Sequence, residues 1–563
     1  MKRVVTVLPI AMALAGCANR GLSAAKEVEH VPPELTITEP ARGTIAGDVQ
    51  VVEVKGTASD AGSGLKSVTV NGATADVAAD GSFSAVVPVQ PGITLLQTTA
   101  TDNDGNTKSD ARSVMSGALA DPTAAVANGL AARINAQTLT ALGDIGAEEI
   151  QAMDIGADLQ PYNPVVSKGG SCLGVQVSVD SISKSNVILV LTPVDGGIAF
   201  DATIDNLDVE MTADFDAVCI GGSAGISLLA DSYHLTGTFA LDVQNGQVVS
   251  GVPNAYGQFQ NFQLSVGIIP SSVINLIPNI DQTVADAITS QLQQKVPNLV
   301  TTYLGGYGYT KAITVLGMEL DATVTPTAID FTPTGGTLTM TTNFAIKDHP
   351  SVSGYPLIAA PLPDMPDTEA PGAGFRLAVN DNSLNQLFDA LWSTGMIDRT
   401  IDLSSDTTNS TGLAGLVDSV QLYLPYPPVV SSQMSGAAAT ISIGDLEVTA
   451  MKNGQPVTKI ALNAQLGLEP YVDANNAIRL QVTNPTAYLS VINDGTITGP
   501  NPLNDSNLEA LGGYVVAHAS TMVDSLVGAI PVPQFQSAQI TNLSAFSAPT
   551  GGYVELGGNV VAQ

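Results

Sequence analysis

Basic side chains are scarce in this chain of 563 residues: 20 Lys and Arg stand against 52 Asp and Glu, a formal charge of −32. Binding to a phosphate backbone needs Lys and Arg to displace counterions, so nucleic acid is excluded as an expected partner. Simple electrostatic adhesion to anionic lipid is excluded on the same ground. Histidine is limited to His30, His234, His349 and His518, and cysteine to Cys17, Cys172 and Cys219. These positions lack any zinc or redox spacing, so neither a metal nor a cofactor is expected. Charged residues of both signs make up only 13% while hydrophobic ones make up 44%, and 54 Gly and 33 Pro stand among many Thr, Val and Ser. That mixture favours β structure with frequent turns. The length is enough for roughly three or four domains with real cores.

The N-terminus starts with Met1-Lys2-Arg3, continues through an apolar run from Val4 to Ala15 that is short for a bilayer span, and closes on Leu14-Ala15-Gly16-Cys17. It resembles a bacterial lipoprotein signal. The resemblance implies removal of residues 1–16, acylation of Cys17 and a lipidated tether over 17–31. Several acyl chains anchor stably where one is marginal. Ala18 resembles the sorting pattern for the outer membrane of a Gram-negative envelope, which is the expected location. With Cys17 consumed, Cys172 and Cys219 remain as an even pair in an oxidising compartment. A disulfide is expected; two free buried thiols are the alternative.

Residues 32–116 read as short alternating strands with turns at Asn71-Gly72, Asp80-Gly81 and Asp104-Gly105, the spacing of a small β-sandwich. The segments 68–72, 80–83 and 100–106 resemble bacterial immunoglobulin-like repeats, which implies a spacer or binding module. Asp60, Asp102 and Asp104 could offer oxygens to calcium, but Asp102 to Asn106 is first a turn sequence.

A tetrapeptide, Pro-Thr-Gly-Gly, occurs at 333–336 and again at 549–552. Each copy follows a strand-like stretch with an aromatic (Phe331, Phe546) and precedes an alternating one. Upstream of each lies a long helical pattern, over Ile280–Val300 and Asp505–Val527. Helix, strand, turn and strand recurring in one order argue for two similar modules: 117–348 and 374–563, joined by a proline-rich connector over 349–373.

The segment Asn380-Asp381-Asn382-Ser383-Leu384-Asn385-Gln386-Leu387-Phe388 through Trp392 to Gly395, and the closing stretch with Ala529 to Pro533 and Gly551 to Leu556, resemble the bactericidal/permeability-increasing protein family. A cysteine pair confined to the first module is in keeping with it. The resemblance implies an α+β fold: two tandem helix-wrapped antiparallel β-barrels, here preceded by an all-β immunoglobulin-like sandwich. It also implies binding of lipid acyl chains between helix and sheet. Antimicrobial members are basic, whereas this chain is acidic, so lipid carriage is the better expectation than endotoxin killing. The partners expected are phospholipid or another amphiphile, and the membrane through the acyl anchor.

Candidate lipid contacts in the first module are Val284, Ile288 and Leu292. In the second they are Leu384, Leu387 and Leu391 on the short helix, and Leu511, Val515, Met522 and Leu526 on the long one. Ordinary core packing produces the same stripes. An adhesion or structural protein without lipid is the competing expectation. A serine esterase is the remote one, from Gly221-Gly222-Ser223-Ala224-Gly225 with Asp231 and His234 behind it. Its surroundings read as strand where a strand-to-helix elbow is needed, so no catalytic residue is expected.

Overall fold

The computed structural model describes residues 30–562 apart from short stretches, the longest at 366–373, 404–412, 473–477 and 528–537. The signal segment, Cys17 and nearly all of the tether lie outside the described residues, as does part of the connector. The chain divides into two units, each described by itself.

The smaller unit comprises the chain to Glu39, Val54–Ala85 and Thr98–Asp110. Strand Glu34–Glu39 pairs antiparallel with residues 55–59, and Leu65–Val70 with 98–102. Val68, Phe83 and Ala100 are buried in it. Its acidic residues close turns. Asp60 accepts from the Gly64 N–H at 2.5 Å, and Asp102 from the Asn106 N–H at 2.8 Å.

The larger unit comprises Pro40–Glu53, Val86–Gln97 and Ala111–Gln563. Strand β1 (Val126–Ile134) runs into helix α1 (Ala136–Ala152), capped by Asn135, whose side chain accepts from the N–H groups of Gln137 and Thr138. A seven-stranded antiparallel sheet follows, built from β2 (Leu173–Ser183), β3 (Gly197–Ala217), β4 (Ile220–Gln244) and β5 (Tyr256–Val266) with shorter strands beside them. Strands of 21 and 25 residues make β3 and β4 one hairpin about 70 Å long if straight. Their alternate residues, such as Val209, Met211, Leu228 and Ala230, face the core. Helix α2 (Ile280–Gly305) packs on β5. It is tied down by the buried Tyr233 hydroxyl, which donates to the Ala285 carbonyl at 2.9 Å and also meets Thr289 Oγ1.

The hairpin β6 (Met318–Thr332) and β7 (Gly335–Ile346) returns to β1. The second half then opens with β8 (Phe375–Asn380) and α3 (Asp381–Trp392), capped by Asn380. It continues through β9 (Ala439–Lys452) and β10 (Gln455–Val472) in a six-stranded sheet, then α4 (Asp505–Val527), and ends with the hairpin β11 (Ala538–Ser547) and β12 (Tyr553–Ala562).

The repeated tetrapeptide finds its place in one sheet. Its order is Tyr309–Val315, β6, β7, β1, β8, β12, β11. The antiparallel pair β1–β8, with Ala132 opposite Leu377, lies at the seam, and each half contributes a closing hairpin on its own side. Both Pro-Thr-Gly-Gly turns join those hairpins; the second is described from Thr550 onward. Gly335 has φ +145°, and a Cβ there would stand 2.4 Å from the Ile134 carbonyl oxygen, so the turn needs glycine.

The expectation of an α+β fold with two helix-wrapped barrels is corrected. Among the described residues strands take 57% and helices 16%, with six helices, and the many sheets place it in the all-β sandwich class. The sheet orders run from one edge strand to another and do not close on themselves among the described residues. Alternation along a strand reveals which side chains face the core, but it carries no information about closure.

Candidate functional site

Two cavities lie between helices and sheets of the larger unit. The larger encloses about 680 Å³, its open mouth included. Helix α3 supplies Phe388 and Leu391 to its wall, and α4 supplies Val515, Ala519 and Val523 at successive fourth positions, one face of the helix. The chain reaches the third wall because Gly395, at φ +69°, ends α3 and turns it back. Met396, Ile397 and Ile401 then line the cavity. Asp398 holds this return by accepting from the Leu424 N–H at 2.8 Å, and Trp392 Nε1 donates to the Leu424 carbonyl at 2.8 Å. Strand residues, among them Leu422 and Ile443, complete the lining. Among the described residues of the lining, two side chains carry polar heads, Arg399 and His518. The imidazole of His518 packs against Tyr514 with ring centres 5.1 Å apart.

The smaller cavity, about 380 Å³, lies in the first half. Ile150 of α1, Phe200 and Ile204 of β3, Leu235 of β4 and Leu292 of α2 line it, with Gln293 as the one polar member among the described residues.

The residues expected to touch lipid divide accordingly. Leu391 and Val515 line the larger cavity and Leu292 the smaller. Val284, Ile288, Leu384, Leu387 and Leu511 are buried in the main core and line neither of these two cavities. The side chains of Met522 and Leu526 lie outside the described residues. Sequence reasoning missed Met396 and Ile397, which belong to an irregular return with no period to read, and Ile401, which stands in a strand of only three residues, Thr400–Asp402. It also missed His518, although this is one of four histidines and stands three residues beyond Val515, on the same helix face.

Helix α3 departs from its expected amphipathic pattern, because its polar residues are buried as well. Asn382 accepts from the Ile358 N–H and donates to the Ile358 carbonyl. Asn385 does the same with Val430. Gln386 accepts from the Phe344 N–H and donates to the carbonyls of Pro122 and Ala124. Side chains that imitate strand partners in this way satisfy backbone that would otherwise be orphaned. Asp381 and Asp389 share this interior, and burial pushes each carboxyl up to about 6; hydrogen bonds from Ser432 and Ser351 respectively oppose the shift.

Cys172 and Cys219 form a disulfide. Gly221 to Gly225 lies within the regular strand β4, and Ser223 and His234 are eleven residues apart along it, about 36 Å. His234 Nε2 meets Asp201 Oδ1 at 2.6 Å, while Asp231 accepts from Asn261. The three residues of the esterase pattern are therefore not brought together.

A mostly β chain with apolar cavities under its helices is the class that fold and site define. Residues 33–117 match the family model described as glucodextranase, domain B, an immunoglobulin-like fold. A crystal structure of lipopolysaccharide binding protein is similar at 14% identity and TM-score 0.45, covering 78% of this chain and 100% of that one. P47 of Clostridium botulinum E1 is similar at 8% identity and TM-score 0.24, covering 77% and 100%. Fibronectin(III)-like modules of Clostridium thermocellum CbhA match at 12% identity and TM-score 0.14, covering 34% and 92%. No curated protein matches the sequence. Membership of the bactericidal/permeability-increasing protein family is not confirmed by these likenesses, which leave a lipopolysaccharide binding protein as a structural neighbour at low identity.

Proposed function

We propose that this chain binds an amphiphile, its apolar tail in the larger cavity and an anionic head at Arg399 and His518. The apolar lining of that cavity carries the reading, and Arg399 and His518 are the residues of that lining with nitrogen-bearing heads, in a chain with few basic residues. Small-molecule sites are typically apolar hollows with a few placed polar groups. An acyl chain of sixteen carbons in water exposes on the order of 12 kcal/mol of unfavourable contact, so a protein that carries one must hide nearly all of it. On this reading the protein is an envelope lipoprotein held to the membrane through Cys17, which carries phospholipid or a related amphiphile. A structural or adhesive role is the second reading, favoured by the immunoglobulin-like match over residues 33–117.

One preparation, the chain with Cys17→Ala and a soluble signal, separates them. Native mass spectrometry should find a bound amphiphile, and a fluorescent fatty acid should bind and be displaced by unlabelled acid. Ala519→Phe, which fills the cavity, should weaken that binding at least tenfold. Arg399→Gln with His518→Gln should abolish the preference for the acid over its methyl ester. No bound lipid and no uptake from vesicles would leave the adhesive reading standing.

A further inference from the structure

The far end of the β3–β4 hairpin exposes several apolar side chains. Its turn carries Val218, 84% exposed, and Ile220, 73% exposed, and the Cys172–Cys219 disulfide joins it to the neighbouring turn, where Leu173 is 44% exposed. The Cys219 N–H also donates to the Cys172 carbonyl at 3.1 Å. Val218 and Cys219 hold φ of 52° and 62°, a conformation rare for a β-branched residue. Ile268, 96% exposed, follows β5, where Gly267 N–H donates to the Gly225 carbonyl at 2.9 Å. Single exposed apolar residues are ordinary, whereas Val218, Ile220 and Leu173 gather at two turns joined by one disulfide, with Ile268 further back along the sheet.

The surrounding sequence is free of charge. Residues 169–179 and 217–230 contain no Asp, Glu, Lys or Arg. The nearest charges along the paired strands are Asp216 opposite Gly174 and Gly221, Asp214 opposite Gln176 and Ser223, and Lys168 opposite Val175.

We propose that this stapled tip docks on a lipid surface of zwitterionic or uncharged headgroups. Three or four side chains on small, glycine-rich turns fall well short of the roughly 800 Å² per partner that a stable protein contact buries. A lipid surface needs no matching shape, and insertion of apolar side chains is sufficient. The two carboxylates behind the tip, against one ammonium, disfavour an anionic surface.

The test uses the full chain with Cys17→Ser, so that no acyl anchor contributes, and vesicles of brominated phosphatidylcholine. Val218→Trp should shift to shorter emission wavelength and be quenched, relative to the wild-type signal from Trp392, whereas Tyr423→Trp, on a strand remote in sequence, should not change. Val218→Ser with Ile220→Ser should lower partitioning at least tenfold with unchanged thermal unfolding. Replacing part of the phosphatidylcholine by an anionic lipid should weaken binding. An unshifted Val218→Trp at saturating vesicle, undiminished binding of the double serine variant, or a shift that follows protein concentration without vesicles would each overturn the proposal, the last in favour of a second copy.

Discussion

At the residue scale, the buried carboxyls of α3 make the most direct claim on solution behaviour. Asp381 and Asp389 have ordinary carboxyl values of 3.8 that burial raises to about 6. A carboxyl raised in the folded state binds more protons folded than unfolded between those values. Its contribution is therefore fully present below 3.8 and is lost as the pH rises through about 6. Asp381→Asn and Asp389→Asn should each stabilise the protein at pH 7.5, by about 2 kcal/mol, and flatten the fall in stability between pH 5 and 7.5. Urea unfolding at the two pH values measures this; an unchanged slope would refute it. The Ser432 N–H and hydroxyl, which both meet Asp381 Oδ2, can be met equally by an amide oxygen.

At the scale of elements, the two closing turns are where the sequence and the fold agree most closely. The first Pro-Thr-Gly-Gly turn brings Gly335 against the chain at the entry to α1, and Asp381 N–H, at the entry to α3, donates to the Gly552 carbonyl at 3.0 Å. Gly335→Val should cost about 1–3 kcal/mol, read as a lower thermal midpoint, because both its φ and the Ile134 carbonyl forbid a side chain. Strands and hairpin turns were legible because each depends on a few neighbouring residues. The burial of α3 was not. Its Asn382, Asn385 and Gln386 read as a solvent face, and only their long-range partners at Ile358, Val430 and Phe344 explain why they are inside. The same limit concealed Met396 and Ile397, whose place in the cavity wall is decided by the turn at Gly395.

At the scale of the whole molecule, the charge of −32 bears on stability as well as on partners. Self-repulsion opposes compactness, and raising ionic strength from about 0.01 to about 0.1 M shortens its range from about 30 to about 10 Å. The thermal midpoint should rise over that interval by a few degrees. A flat response would mean that the carboxylates are too dispersed to repel. Composition announced the abundance of strand, yet the family resemblance drew the expected class toward wrapped barrels. The open sheet orders are properties of distant pairings, such as Arg133 opposite Arg376, that no local window contains.

The seam between the halves has a further consequence. In β1 and β8 two corresponding strands meet antiparallel, and beside them the buried ion pair of Arg376 with Glu555 spans 3.2 Å. A pairing of like with like across an antiparallel ladder is the geometry of an isologous homodimer, written here into one polypeptide. A fragment holding a single half would therefore end at an unpaired edge whose natural complement is another copy of itself.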